Sequence, residues 1–483
     1  MSELDELIAR VLQPGFTGTT APDWVRRRLA DGLGSLILFG RNVETPEQVR
    51  ALTDSLRAEN PDVVIAIDEE AGDVTRLEHA DGSSYPGNLA LGALDDVRLT
   101  EAVLRAVGAR ARAAGVDLDY APVADVNSEP RNPVIGARSF GADPELVARH
   151  VAAAVRGLHA AGVAACAKHF PGHGDTTVDS HFGLPTVPAS RADLERVTLP
   201  PFRAAVAAGA RAVMVAHLLI PDLDPDHPAS VSSAVIGTLL RDSLAFEGLA
   251  VSDGIGMAAV RERYGLTGAT VRALAAGIDL VCVDHVTTDA DTAELEAAIT
   301  AAVRDGSLPE ARLVEAARRA TEFAAWRREV REAFAESPSA GDPGDLGGID
   351  GLAVARCAVR VLRSAPGALP LTQPPHVLEA ALPRSLADRL TELLPGTTRA
   401  PLSEVSDATE LPSERPLVIA VRGIQRTPED VERVIALVKE RPDAVVVELG
   451  VPHLDPGGAA WIATYGASKV SVRAAAEVLA GRR

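Results

Sequence analysis

Short β-branched runs alternate with longer stretches in which apolar residues recur every three to four positions. The runs lie at 36–40 (LILFG), 63–68 (VVIAID), 116–120 (VDLDY), 163–169 (VAACAKH), 212–217 (AVMVAH), 249–253 (LAVSD) and 278–283 (IDLVCV). Between them, 46–57, 99–114, 144–161 and 270–275 carry helical periodicity. A βαβα rhythm over roughly 300 residues predicts a parallel sheet covered by helices. Seven strands and an eighth that the pattern does not locate fit a (β/α)8 TIM-like barrel better than an open doubly wound sheet. Two more helices are expected at 291–305 and 309–336, before the Gly-, Pro- and Asp-rich stretch 337–348 (SPSAGDPGDLGG), which reads as a linker. Beyond it the rhythm returns weakly, with strands at 377–382, 417–421, 444–449 and 461–465 and helices at 428–440 and 471–480. The expected organisation is therefore a barrel over 1–336, a linker over 337–348 and a smaller α/β layer domain over 349–483.

Charge narrows the range of partners. The chain has 483 residues, a formal net charge of −19 and only 3% aromatic residues. So acidic a surface repels phosphate backbones and anionic lipid heads, and few rings are present to stack bases. Neither a nucleic-acid nor a membrane partner is expected. Cys166, Cys282 and Cys357 show no CxxC spacing, so neither a disulfide framework nor a structural zinc site is predicted. The acidic, amphipathic start MSELDELIARVLQPGF is no secretory leader, and no apolar run reaches 18 residues, so the cytoplasm is the default expectation. Only Lys168, Lys439 and Lys469 interrupt an otherwise all-arginine set of 48 basic residues. A retained lysine can mark a place where a compact ammonium serves and a planar fork does not.

The expected strands end in residues capable of chemistry: Arg41 and Asn42, Asp68, Lys168 and His169, His217, Asp253, and Asp284. In a (β/α)8 barrel the active site forms at that end of the strands. The densest cluster is 168–185, KHFPGHGDTTVDSHFGLP, where Pro171, Gly172 and Gly174 argue against a helix and for a loop over the barrel mouth. Three readings of it stand side by side. Asp179 and His181 can form an acid/base dyad, the carboxylate fixing the ring tautomer. His169, His173, Asp175 and His181 can instead ligate a metal, although HxxxH is a helical spacing and this is a poor helix. Or the histidines simply bond the loop together. Asp253, delivered by GLAVSDGIGM, is a candidate nucleophile or a helix N-cap. Asp68, Arg76 and Arg138, with Lys168 and His169, offer a carboxylate and forked donors suited to vicinal hydroxyls. Taken singly, each arginine also reads as a loop brace.

In these residues the chain resembles glycoside hydrolase family 3, in its bacterial β-N-acetylglucosaminidase (β-N-acetylhexosaminidase) branch. The resemblance runs through LILFGRNVETPEQV, IDEEAGDVTRL, YAPVADVNSEPRNPVIGARSF, AKHFPGHGDTTVDSHFGLP, MVAHLLIPDLDPDHPASVS and GLAVSDGIGM, in order, over most of 30–285. It implies a barrel followed by an α/β sandwich, as in the longer members. It also implies a retaining exo-hydrolase that releases terminal β-linked N-acetylglucosamine without cofactor or metal. Asp253 matches the nucleophile that forms a glycosyl-aspartate, His181 the acid/base and Asp179 its partner. Asp68, Arg76, Arg138, Lys168 and His169 match the positions that grip the non-reducing sugar. The implied substrates are N-acetylglucosamine-containing saccharides, such as muropeptide or chitin fragments and aryl or alkyl glycosides. Ala71 and Asp73 depart from the family's D-x-E-G-G-x-V pattern. Two other functions remain: a phosphorylase, in which phosphate replaces water, and a sugar-binding protein without catalysis.

Overall fold

The computed structural model describes residues 2–180, 182–284, 287–336, 348–405 and 407–482. His181 and nearly all of the expected linker lie outside the described residues. Two compact units divide the chain. One comprises Met1–Glu69, Val97–Val126 and Ala142–Ile349; the other comprises Glu70–Asp96, Asn127–Gly141 and Asp350–Arg483. The units thus interleave along the sequence, whereas the expected boundary is a single cut.

Among its described residues the first unit carries eight parallel strands: β1 (Leu12–Pro14), β2 (Ser35–Leu38), β3 (Val64–Ile67), β4 (Leu118–Asp119), β5 (Ala164–Phe170), β6 (Ala212–Val215), β7 (Leu249–Ser252) and β8 (Val281–Val283). β2 to β7 pair in chain order, a Val251–Leu280 bridge links β7 to the β8 segment, and β8 pairs with β1. Between β1 and β2 the Gln13 amide donates to the Ser35 hydroxyl at 2.6 Å, and the Tyr120 hydroxyl donates to Gln13 in turn. This is the expected (β/α)8 barrel. Its eighth strand is β1, three residues that include Gln and Pro and therefore carry no strand signature.

Helix starts follow local chemistry. Thr45 accepts from the Gln48 N–H and Asp143 from the Leu146 N–H, each just before a proline in the first turn of Pro46–Glu59 and Pro144–Ala160. Inside the barrel, Val64 and Ala66, Leu118 and Tyr120, Ala164 and Cys166, Ala212 and Met214, Leu249 and Val251, and Leu280 and Cys282 form one buried cluster. Each pair is two residues apart, as the pleat of a strand requires for side chains on one face. Phe323 of the helix Glu310–Ala335 packs on this cluster.

The second unit is built on β9 (Arg360–Ser364), β10 (His376–Glu379), β11 (Thr398–Pro401), β12 (Leu417–Val421), β13 (Val445–Glu448) and β14 (Ala460–Ala463). Their order is β11-β10-β12-β13-β14-β9, with only β9 antiparallel. Alternate residues of the same strands enter two separate cores. Val418, Ala420, Val445 and Val447 join one, and Leu417, Ile419, Val421 and Val446 the other. A sheet apolar on both faces must be covered on both, which makes this the expected α/β sandwich. The pattern misses β9 and β11 because both are edges with mostly exposed side chains. No helix among the described residues is long and apolar enough to cross a membrane.

Glu448 ends β13 buried at 3% exposure, and its Oε1 accepts the Gly423 N–H at 2.6 Å. Burial pushes its carboxyl up to about 7, against the opposing pull of backbone N–H groups at 423, 424 and 450 and of Arg426. The folded chain therefore keeps a proton that the unfolded chain gives up near 4.5. The stability linked to it is complete below pH ~4.5 and falls as pH rises through ~7, by about 3 kcal/mol. Urea unfolding between pH 5 and 8 should show this slope in the wild type and its loss in Glu448→Gln.

Candidate active site

The pleat that fills the barrel also selects what stands above it. Two residues beyond Ala66, Cys166, Val251 and Cys282 come Asp68, Lys168, Asp253 and Asp284, each on the face that lines the interior. Electrostatics agree with this placement. Burial pushes the Cys166 thiol up, and the charges of Asp68, Asp119 and Asp253 push it the same way while Lys168 opposes them. Cys282 is raised likewise by burial, then by Asp284, Asp68 and Asp253. Asp68, Lys168 and Asp253 thus act on both buried thiols.

The Lys168 ammonium meets Asp68 Oδ1 at 2.6 Å, with the lysine side chain 2% exposed and the aspartate 15%. Asp119 is buried beside them and accepts the Glu69 N–H at 2.9 Å. Burial, reinforced by Glu69 and Asp68, pushes its carboxyl well above the usual range.

His169, the next residue of β5, donates through Nδ1 to Asp125 Oδ2 at 2.7 Å. Asp125 is wholly buried and also accepts the backbone N–H groups of His169 (3.3 Å) and His173 (2.6 Å). Burial raises its carboxyl, but His169 and these hydrogen bonds overcome that and hold it below the ordinary range. Asp125 is a residue that the sequence reading passed over. Its one signal is its place in APVADV, after the β4 run.

The described residues of the loop that follows form turns without helix, as predicted. The Thr176 hydroxyl donates to the His173 carbonyl at 3.2 Å, so its oxygen accepts from His173 Nδ1 at 2.8 Å. His173 Nε2 then accepts from the Ser180 hydroxyl at 3.1 Å. Burial, and then the charge of His169, lowers the His173 pKa and favours the neutral ring. His173 is therefore a clasp across 173–180. The Ser180 carbonyl in turn accepts the Ala259 N–H at 3.4 Å. That bond fastens the loop, between Asp179 and His181, six residues past Asp253. Asp179 is half-buried, and its carbonyl accepts from the N–H groups of Phe182 and Gly183.

Asp253 does not cap the next helix: the helix Ala258–Ala276 begins five residues on, with Met257 at its N-cap. The Asp253 Oδ1 accepts the Gly254 N–H at 2.8 Å. Arg41 and Asn42 have scaffold contacts, donating to the carbonyls of Phe16, Gly18 and Asp284.

Arg76 and Arg138 belong to the second unit. Arg138 is gripped in two-pronged fashion by Glu70, at 3.0 and 2.8 Å, with Glu70 2% exposed in its side chain. Arg76 is half-buried. Ala71 adopts φ +64° in the turn before it, where the family pattern has glycine, and Asp73 binds Arg422 at 2.6 Å and the Ala467 N–H at 2.6 Å.

Comparison with known proteins completes the picture. The family described as "Glycosyl hydrolase family 3 N terminal domain" matches residues 4–323. Beta-hexosaminidase A of Pseudoalteromonas piscicida is 36% identical over 270 residues, 51% of this chain, and the match spans only 45% of that enzyme. Beta-hexosaminidase of Xylella fastidiosa (strain M23) is 40% identical over 283 residues, covering 56% of this chain and 82% of that one. Among solved structures, a glycoside hydrolase family 3 beta-N-acetylglucosaminidase from Paenibacillus sp. str. FPU-7 is similar with TM-score 0.88 and 33% identity, over 100% of this chain and 97% of that one.

Removal of the Asp125 carboxylate leaves buried donors on His169 and His173 without an acceptor. Asp125→Ala should lower the unfolding free energy by about 3–5 kcal/mol in chemical denaturation. Asp125→Asn, which keeps one acceptor oxygen, should lose less.

Proposed function

The chain belongs to glycosyl hydrolase family 3, and on that premise we propose that it is a retaining exo-β-N-acetylglucosaminidase. Its substrates are saccharides ending in β-linked N-acetylglucosamine, among them muropeptide or chitin fragments and simple aryl glycosides. The observation that carries this reading is the tether from the Ser180 carbonyl to the Ala259 N–H, 3.4 Å long. It joins the loop bearing Asp179 to the segment that follows Asp253, and a two-step displacement needs an acid/base and a nucleophile at one sugar carbon. The names of the similar enzymes, beta-hexosaminidase and beta-N-acetylglucosaminidase, support the choice of sugar.

In the first step an Asp253 oxygen bonds to C1 while the bond from C1 to the aglycone oxygen breaks. His181, paired with Asp179, gives that oxygen its proton. In the second step a water attacks C1, His181 takes the water's proton, and the bond to Asp253 breaks. Two inversions leave the β configuration unchanged. Asp68, Lys168 and His169 hold the sugar hydroxyls. The buried Lys168–Asp68 pair suits this task, because its two charges are already desolvated and oriented before a substrate arrives. Arg76 and Arg138 carry the sugar-binding roles that the family pattern assigns to them.

Asp253→Ala should cut release of nitrophenol from a nitrophenyl N-acetyl-β-glucosaminide by at least about a thousandfold while the product sugar still binds. Retained turnover refutes the nucleophile. His181→Ala should slow hydrolysis of an N-acetylglucosamine disaccharide by about 10²–10⁴-fold, and a dinitrophenyl glycoside much less, because that leaving group needs little protonation. Equal losses on both substrates refute the acid role.

A further inference from the structure

Two strand-end residues singled out by the sequence, His217 after β6 and Asp284 after β8, have no part in the chemistry above. Both meet the turn that carries Asp253. His217 is wholly buried, with Nε2 2.9 Å from the Gly254 carbonyl oxygen and Nδ1 2.6 Å from the Ser230 hydroxyl. A carbonyl oxygen only accepts, so Nε2 bears the proton. Nδ1 then accepts from Ser230, and that hydroxyl, itself wholly buried, fixes the tautomer. The other backbone group of Gly254, its N–H, donates to Asp253 Oδ1 at 2.8 Å.

The rest of the turn is held from the two flanking strands. Val215 of β6 accepts the Asp253 N–H at 2.9 Å, and Cys282 of β8 accepts the Ile255 N–H at 2.9 Å. Asp284 Oδ1 accepts the Gly256 N–H at 3.0 Å. Asp284 also packs so closely on Gly254 that a Cβ there would stand 2.4 Å from its carboxyl carbon. Position 254 thus has room for hydrogen alone on that side.

We propose that His217, oriented by Ser230 and opposed by Asp284, is a positioning residue that fixes the direction in which Asp253 presents its carboxylate to the sugar. The inference rests on the reading of Asp253 as nucleophile. Attack requires an oxygen about 3–3.5 Å from C1 and in line with the departing group, and a displacement of ~1 Å can cost two orders of magnitude. A turn hung on backbone bonds alone can rotate the Gly254 peptide groups. The imidazole pins the carbonyl and thereby the N–H that holds Oδ1. The effect belongs in the chemical step and not in sugar binding, because His217 reaches backbone and a buried hydroxyl.

The test uses the full chain and 5-fluoro-N-acetylglucosaminyl fluoride as probe. Its C1–F bond breaks as Asp253 bonds to C1, and fluoride leaves with little need of a proton, so the labelling rate reports the nucleophile apart from the acid. Intact-mass kinetics on the wild type, His217→Ala, His217→Gln and Ser230→Ala give that rate. Inhibition by N-acetylglucosamine gives binding, and thermal melting gives the folded fraction. The expected result for His217→Ala is labelling and kcat slowed about 10–100-fold with KM and inhibition within about twofold. His217→Gln, whose amide reaches the Gly254 carbonyl, should recover most of the rate. Ser230→Ala, which leaves the imidazole but not its anchor, should lose about 3–10-fold. Unchanged labelling per folded molecule, or a loss confined to KM, overturns the proposal. If His217→Ala does not fold, the contrast between His217→Gln and Ser230→Ala decides, and equality of both with wild type overturns it. A wild type that is not labelled at Asp253 at all overturns the nucleophile assignment instead.

Discussion

A side chain two places beyond one that lines a barrel must line it too, and this constraint of the pleat organises the first unit. Val64 and Ala66 lead to Asp68, Ala164 and Cys166 to Lys168, Leu249 and Val251 to Asp253, and Leu280 and Cys282 to Asp284. The apolar members fill the interior, and the next residue along emerges where the filling stops. Charge thus collects at one end of the barrel because these four strands carry a charged residue in the same phase as their core residues. Lys168 and Asp68 neutralise one another there at 2.6 Å, which makes it tolerable to keep a nearly buried ammonium in place.

Behind that front rank stands a set of buried polar residues whose partners are backbone groups and neighbouring buried side chains. Asp125 gathers two N–H groups and the His169 ring. His173 closes its own loop through two hydroxyls. His217 ties a carbonyl beside Asp253 to Ser230. Each satisfies donors and acceptors that would otherwise be stranded without water, so each stiffens a segment that the barrel alone leaves as a turn. Glu70 does the same for Arg138 in the second unit.

Legibility in the sequence varied with the length and exposure of each element. The strands β2 to β8 announce themselves by β-branched runs, and helices such as Pro428–Glu440 agree with the expected 428–440 residue for residue. β1 stayed hidden because three residues cannot show a period, and its membership is decided by pairing with β8. The edges β9 and β11 stayed hidden because exposed strands need no apolar alternation. Among polar residues, the histidines and aspartates of 168–185 stood out by density. Asp125 did not, because a single aspartate among small residues has the same sequence signature whether it caps a turn or anchors a catalytic loop.

By itself the sequence determined the alternation of strand and helix, the acidic surface and the family motifs, since each is a local property that survives without the fold. What only the tertiary structure decided is which polar groups meet. It separated His173, a loop clasp, from His169, partnered by Asp125, though they lie four residues apart. It denied Asp253 the role of a helix cap, and it brought His217 to a carbonyl 37 residues further along. It also counted Glu70–Asp96 and Asn127–Gly141 with the second sheet, although both stretches fall between strands of the barrel. Hydrogen bonds act over about 3 Å, and that distance has no image in chain separation.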